Sequence, residues 1–220
     1  PYKFVEWVDE DHVTIEAFDD YWGGKASLDK VIIRVIPEAT VRVLAFEKGE
    51  LDLIEVPPDQ VKRLEGMGKY SIVRGAPMGQ ELLWINLSPD TGNKALLDKR
   101  VRQALSYAIN RDEIVDAVMD GEAATGVATV GVPSGMPGWI PTMYPSSGDL
   151  DKAKQLLKEA GYEDGFDLEI MVVPAFAWGE DVATIMQAQL AEVNIRVKID
   201  PVEFTVLIDR MWQDPPAQET

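Results

Sequence analysis

The last third of the chain places a helix between two strands, an order that restricts how the two strands can pair. Leu168, Ile170 and Val172 alternate along the chain, which predicts a strand with one buried face. Residues 182–193 then follow helical spacing, and alternation returns over residues 195–199. Because a helix of this length separates the two strands, they are expected to pair in parallel through a right-handed crossover. The sequence therefore predicts an α/β fold.

Three further helices are predicted from capping residues and apolar spacing. One covers residues 98–109, with Asp98 as a natural N-cap. Its buried face is expected to consist of Val101, Ala104, Leu105 and Ala108. Asn110 and Glu113 resemble the capping box of the next helix. The third helix is predicted to start after Asp149 and to end at Gly161.

The first third of the chain has mainly the patterns of strands. Alternating residues on both sides of the acidic run 9–12 predict a hairpin, and the β-branched run 31–36 predicts a buried strand. The other short elements predicted here are helices over residues 40–48 and 58–64 and strands over residues 51–54, 71–74 and 81–87.

A cluster of glycine and proline over residues 75–79 separates the last two of these strands. Gly75 and Gly79 can absorb the backbone rotation that a hinge requires, so they are candidate hinge residues. We therefore predict two domains, a strand-rich part over residues 1–80 and an α/β part over residues 81–220. A plain loop between neighbouring strands is the alternative interpretation of the cluster.

Charge and composition disfavour several classes of protein. The chain has 21 basic and 38 acidic residues and a net charge of −17, which opposes binding to nucleic acids or to anionic membrane surfaces. Cysteine is absent, so disulfides and thiolate chemistry are excluded. The single histidine, His12, has no second histidine to join it in a metal site. No apolar run is long enough to span a membrane, and we expect no metal and no cofactor.

The common catalytic motifs do not occur in the sequence. The stretch 131–135 resembles a nucleophile elbow, but its serine stands one position late. Neither a P-loop nor a dinucleotide-binding glycine motif follows a predicted strand. The many carboxylates stand at turns and helix starts, where they cap helices and favour the helix dipole. We expect no enzymatic activity, and a hydrolase that uses a carboxylate pair remains an alternative.

Aromatic residues in loops are the candidate binding residues. The loop 174–178 leaves the carboxyl end of a predicted strand, which is where open parallel sheets bind ligands. Ala175, Phe176 and Trp178 are candidate walls of a cleft, although the two aromatic rings could instead cover the core of the domain. Trp139 is a fourth candidate, because it lies in a long glycine- and proline-rich stretch that is expected to be an ordered surface loop.

Five stretches, in the same order and spanning most of the chain, resemble the family 5 solute-binding proteins, which include dipeptide, oligopeptide and nickel binders. Asn194 stands in the last of them, where the family usually has glycine. The stretches are DYWGGKASLDKV at 20–31, FEKGELD at 46–52, KRVRQALSYAINR at 99–111, AKQLLKEAGY at 153–162 and QLAEVNI at 189–195.

This resemblance implies a clamshell similar to the type II periplasmic binding proteins, here an incomplete first lobe and most of the second. The implied function is to close on a peptide or another small solute and to deliver it to the permease subunits of an ABC importer. The implied location is periplasmic or extracytoplasmic, with or without a lipid anchor. A ligand-sensing domain of a regulator with the same fold is the alternative.

The loop 174–178 matches a ligand-contacting loop of dipeptide binders in this resemblance. Those binders carry Arg and Tyr where this chain carries Ala and Phe. The resemblance therefore implies a ligand loop, but not an anchor for the carboxylate of a peptide.

Overall fold

The computed structural model describes residues 1–75, 82–90, 92–123, 125, 137–138, 140, 144–174 and 178–212. The chain divides into two compact units, Pro1–Tyr70 and Ser71–Thr220. The predicted boundary between residues 80 and 81 lies outside the described residues and stays a prediction.

The first unit contains a three-stranded antiparallel sheet and two helices. Its strands are adjacent in the order of the chain, with β2 in the middle. The elements are β1 (Tyr2–Val8), β2 (His12–Ala17), β3 (Lys30–Arg34), α1 (Ala39–Glu47) and α2 (Pro58–Gly66). The predicted hairpin is confirmed, and Glu10 in its turn has the positive φ of 57° that reverses the chain.

The prediction that the third strand is buried is wrong. The strand forms, but Ile32 and Ile33 are 54% and 55% exposed. Pairing with β2 places Ile33 on the same face of the sheet as Trp7 and Phe4, which are also exposed. No described element covers this apolar face, so the β-branched side chains contact solvent rather than a second layer.

The other strands predicted in this region do not form among the described residues. Residues 51–54, 71–74 and 82–87 have no strand structure. Each segment has apolar residues that suit a strand. A strand also needs a neighbouring strand, whose backbone forms hydrogen bonds with its N–H and C=O groups. None of the three pairs with such a neighbour in the described chain.

The second unit confirms the predicted strand–helix–strand order. Its two strands are parallel, and Leu168 lies opposite Val197 while Ile170 lies opposite Ile199. The elements of the unit are α3 (Lys99–Ala108), α4 (Arg111–Met119), α5 (Leu150–Ala160), β4 (Asp167–Val172), α6 (Gly179–Ala191), β5 (Arg196–Pro201) and α7 (Phe204–Trp212), with a 3-10 turn at Lys94–Leu97.

The core of the second unit lies between the sheet and the helices α3, α5 and α6. The predicted buried face of α3 is confirmed, because all four of its residues are buried. The large, fully buried side chains around it come from α5, from α6 and from the turn between α6 and β5. They are Leu157, Leu190, Val193 and Ile195.

Side-chain caps fix the starts of α3, α4 and α5, as predicted. Asp98, Asn110 and Asp149 each accept a hydrogen bond from a backbone N–H of the first turn. The capping box at Asn110 is incomplete, because the side chain of Gln189 accepts the N–H of Asn110 at 3.1 Å. The carboxylate of Glu113 instead accepts a hydrogen bond from that same Gln189 amide.

Candidate functional site

The carboxyl ends of β4 and β5 form the edge where the predicted ligand loop leaves the sheet. Pairing continues beyond the strands, since the N–H of Val202 donates to the carbonyl of Val172 at 2.9 Å. The chain after β4 is described through Pro174 and again from Trp178. The predicted strand–loop–helix context of this loop is therefore confirmed.

Trp178 directly precedes α6 and is half-buried. Its carbonyl accepts the N–H of Val182 at 3.0 Å, so the first turn of the helix fixes its backbone. Its side chain makes no capping hydrogen bond. Trp178 is therefore partly in contact with the protein and partly exposed to solvent. Such exposure suits a residue at the rim of a cleft as well as one that covers a core.

Three other candidate binding residues, Ala175, Phe176 and Trp139, lie outside the described residues, as does the candidate hinge residue Gly79. Their convergence with Trp178 stays a prediction. Gly75 is described, and a Cβ added there would meet no atom within 4 Å. Among the described residues, an alanine side chain at this position would therefore meet no steric obstacle.

One face of the β4–β5 sheet carries a row of three ion pairs, which we call the charged face. Two of them cross between the strands, and the third joins β5 to α7. The pairs are Arg196–Asp167 at 2.6 Å, Lys198–Glu169 at 2.9 Å and Arg210–Asp200 at 3.3 Å. The hydrogen bond to Glu169 raises the pKa of Lys198, so this amine stays protonated at neutral pH. The basic side chains of this face are thus already neutralised by neighbouring carboxylates.

Two polar side chains that hold the second unit together were not predicted from the sequence. The buried amide of Gln189 bonds to both backbone groups of Asn110, 79 residues away. The guanidinium of Arg111 donates to the carbonyls of Ser106 and Ile109 at the end of α3, and burial lowers its pKa. The sequence did contain one signal for Gln189. This polar residue stands three positions after Met186, on the apolar face of α6.

Metal and membrane features are absent from the part of the chain that the structure describes. No group of three or more His, Asp or Glu side chains is placed to hold a metal ion. No described helix combines the length and the apolar character that crossing a membrane needs. Two shallow cavities of about 390 and 290 Å³ meet at Asn194, near the amino end of β5, so they do not belong to the candidate ligand edge.

The α/β fold is shared with solved periplasmic binding proteins of type II. The periplasmic binding protein DppA of Helicobacter pylori, in complex with the peptide STSA, is 31% identical with a TM-score of 0.72 over 96% of this chain and 40% of that one. NikA of Brucella suis, in complex with Fe(III)-EDTA, is 28% identical with a TM-score of 0.79 over 96% of this chain and 44% of that one.

Residues 1–218 match the family of bacterial extracellular solute-binding proteins, family 5 middle, and the chain belongs to this family. The oligopeptide-binding protein AppA of Bacillus subtilis is 30% identical over 98% of this chain. The dipeptide-binding protein of Escherichia coli is 30% identical over 96% of it. The chain spans 41% and 39% of the lengths of these two relatives. Both the family and the fold class predicted from the sequence are confirmed.

Proposed function

We propose that this chain is part of a protein that captures a small solute, with peptides as the leading class, for an ABC importer. The match to family 5 over residues 1–218 is the observation that carries this proposal. The names of the matched relatives describe binding proteins for oligopeptides, dipeptides and glutathione. No catalytic step is part of the proposed function.

The proposed mechanism is closure of two lobes on the solute. We assign residues 1–80 to part of the first lobe and residues 81–220 to most of the second, with Gly75 and Gly79 as hinge residues. The loop 174–178 follows the carboxyl end of β4, where a ligand of a parallel sheet has room to bind. Phe176 and Trp178 would bury apolar solute surface there, and their faces would stack on planar groups.

The proposed location is periplasmic or extracytoplasmic, with or without a lipid anchor. The proposed partners are the permease subunits of the importer. The net charge of −17 supports this environment only in a general way, because it favours solubility and opposes contact with nucleic acid.

Calorimetry on the whole protein tests the proposal against panels of peptides, sugars and metal complexes. Once a ligand is found, Phe176→Ala and Trp178→Ala should each weaken binding about tenfold, or about 1.4 kcal/mol. Trp22→Ala is the matched control, because Trp22 is a tryptophan outside the loop and is 90% exposed.

Three results would contradict this proposal at different points. If both loop variants bind the ligand as tightly as the unmodified protein, the rings cover a core and the site is wrong. If the whole protein hydrolyses a peptide or a glycoside, the enzyme alternative is favoured. A DNA-binding region in the whole protein would favour the ligand-sensing alternative.

A further inference from the structure

The stretch 71–75 directly follows the division between the two units. It forms neither helix nor strand, and Val73 within it is 87% exposed. Between described residues, no backbone hydrogen bond ties it to the rest of the second unit. A connection outside helices and strands changes its dihedral angles more easily than those elements do, unless side chains restrain it.

Arg74 supplies such a restraint by pairing with Glu122, 48 residues further along the chain. The Nε of Arg74 donates to Oε2 of Glu122 at 2.8 Å, and its Nη2 donates to Oε1 at 2.9 Å. Two parallel bonds fix the orientation of the guanidinium as well as its distance from the carboxylate. The Glu122 side chain is 19% exposed, so water screens this pair less than a fully exposed one.

Glu122 itself has a fixed backbone position at the end of α4. Asp120 and Gly121 have positive φ values of 49° and 81°, which turn the chain sharply after the helix. The N–H of Glu122 then donates to the carbonyl of Met119 at 2.8 Å. The carboxylate that holds Arg74 is therefore placed by a helix terminus rather than by a free loop.

We propose that the Arg74–Glu122 ion pair anchors the connection between the units to the end of α4 and so restricts the predicted hinge at Gly75. Gly75 directly follows Arg74, so rotation about its backbone is limited while the guanidinium is held. When the pair opens, this restraint on Gly75 is lost. The value of this restraint for solute capture rests on the proposed function, but the restraint itself does not.

The test measures the distance between spin labels on the two units in this chain, without solute. The chain lacks cysteine, so Thr40→Cys in α1 and Lys154→Cys in α5 give specific labelling at exposed helical positions. Arg74→Gln and Glu122→Gln should each broaden the distance distribution. The fraction of molecules outside the distance range of the unmodified chain should rise about two- to fivefold, the range expected for loss of a surface ion pair.

Arg63→Gln is the matched control, because Arg63 pairs with Glu47 inside the first unit at the same 2.8 Å and with similar exposure. It should leave the distance distribution unchanged. The double variant Arg74→Glu with Glu122→Arg should restore the narrow distribution, because it re-forms the ion pair with its charges exchanged. Unchanged distributions in both single variants, or equal broadening by the control, would overturn the proposal. A whole protein that binds no solute would instead refute only the proposed function.

Discussion

Asn194 has a φ of 65°, in the left-handed region, at the turn from α6 into β5. The family usually has glycine here, and asparagine is among the few other residues that tolerate this conformation. Its side-chain amide also donates to the carbonyl of Glu163 at 3.1 Å, which holds the loop before β4 against the turn. Asparagine therefore replaces the conformational freedom of glycine with a specific contact.

Gly165 lies on the loop that faces Asn194, and a larger residue does not fit at this position. Its φ is 73°, and a Cβ there would overlap with the backbone oxygen of Asn194. We expect Gly165→Ala to lower the free energy of unfolding by about 2–4 kcal/mol, because strain and overlap add. Gly161→Ala is the control, since Gly161 also has a positive φ but open space around its Cβ position. Gly161→Ala should cost about 1–2 kcal/mol when both variants are unfolded in urea. Equal costs for the two variants would show that the loop around Gly165 moves to make room for the Cβ.

His12 is expected to make the stability of the first unit depend on pH. The hydrogen bond to Asp11 at 2.9 Å, followed by that to Glu6, raises the pKa of His12 above 6.5. Arg34 lies opposite His12 in the register of β3. Because the folded pKa is the higher one, this stabilisation is fully present below pH 6.5 and is lost as the pH rises through the folded pKa.

NMR titration of the His12 ring, together with thermal unfolding between pH 5 and 8, measures this effect. His12→Gln should remove the fall in stability with rising pH. A ring pKa at or below 6.5 in the folded chain would contradict the prediction.

At the scale of elements, Gln189 joins α6 to the junction of α3 and α4. Gln189→Leu should cost about 1–3 kcal/mol, because it leaves the partly buried N–H and C=O of Asn110 without these partners. Gln155→Leu is the control, since Gln155 is exposed on α5 and should change stability by about 0.5 kcal/mol or less. Chemical denaturation of the two variants measures the difference, and equal effects would mean that water replaces the Gln189 amide.

Helices could be predicted from the sequence more fully than strands for a physical reason. The cap at Asp98 and the spacing of Val101 and Leu105 act within a few residues, so they are visible locally. Whether Leu51–Ile54 becomes a strand depends on a neighbour that no local pattern encodes. The same holds for the site, where the loop before Trp178 follows from topology, whereas the bond from Gln189 to a residue 79 positions away does not.

At the scale of the whole molecule, the proposed closure requires both lobes. We expect this chain alone to bind the solute of the whole protein at least about a hundredfold more weakly, or about 2.7 kcal/mol. The reason is that a solute held by one lobe loses the contacts and the exclusion of water that closure provides. Parallel calorimetry on the chain and on the whole protein measures this difference. Equal affinities would show that this chain holds the complete site.

The exposed apolar face of the first sheet also belongs to this scale. Phe4, Trp7 and Ile33 are each more than half exposed, and the chain spans 41% of the length of AppA. An apolar face of this kind is unusual on a protein that works alone, because it favours contact with another surface. We therefore expect this face to be covered by another surface.

The charged face of β4 and β5 affects which register the two strands adopt when they pair. A shift of one residue would turn the apolar side chains of β5 away from the core. A shift of two residues keeps the faces, but in one direction it sets Asp200 opposite Glu169, and in the other it sets Lys198 opposite Met171. Like charges side by side repel, and a lysine opposite a thioether loses its partner. Each shifted register keeps one contact between opposite charges, Lys198 with Asp167 or Arg196 with Glu169, whereas the native register has two. The order of charges therefore favours the native pairing of the two strands.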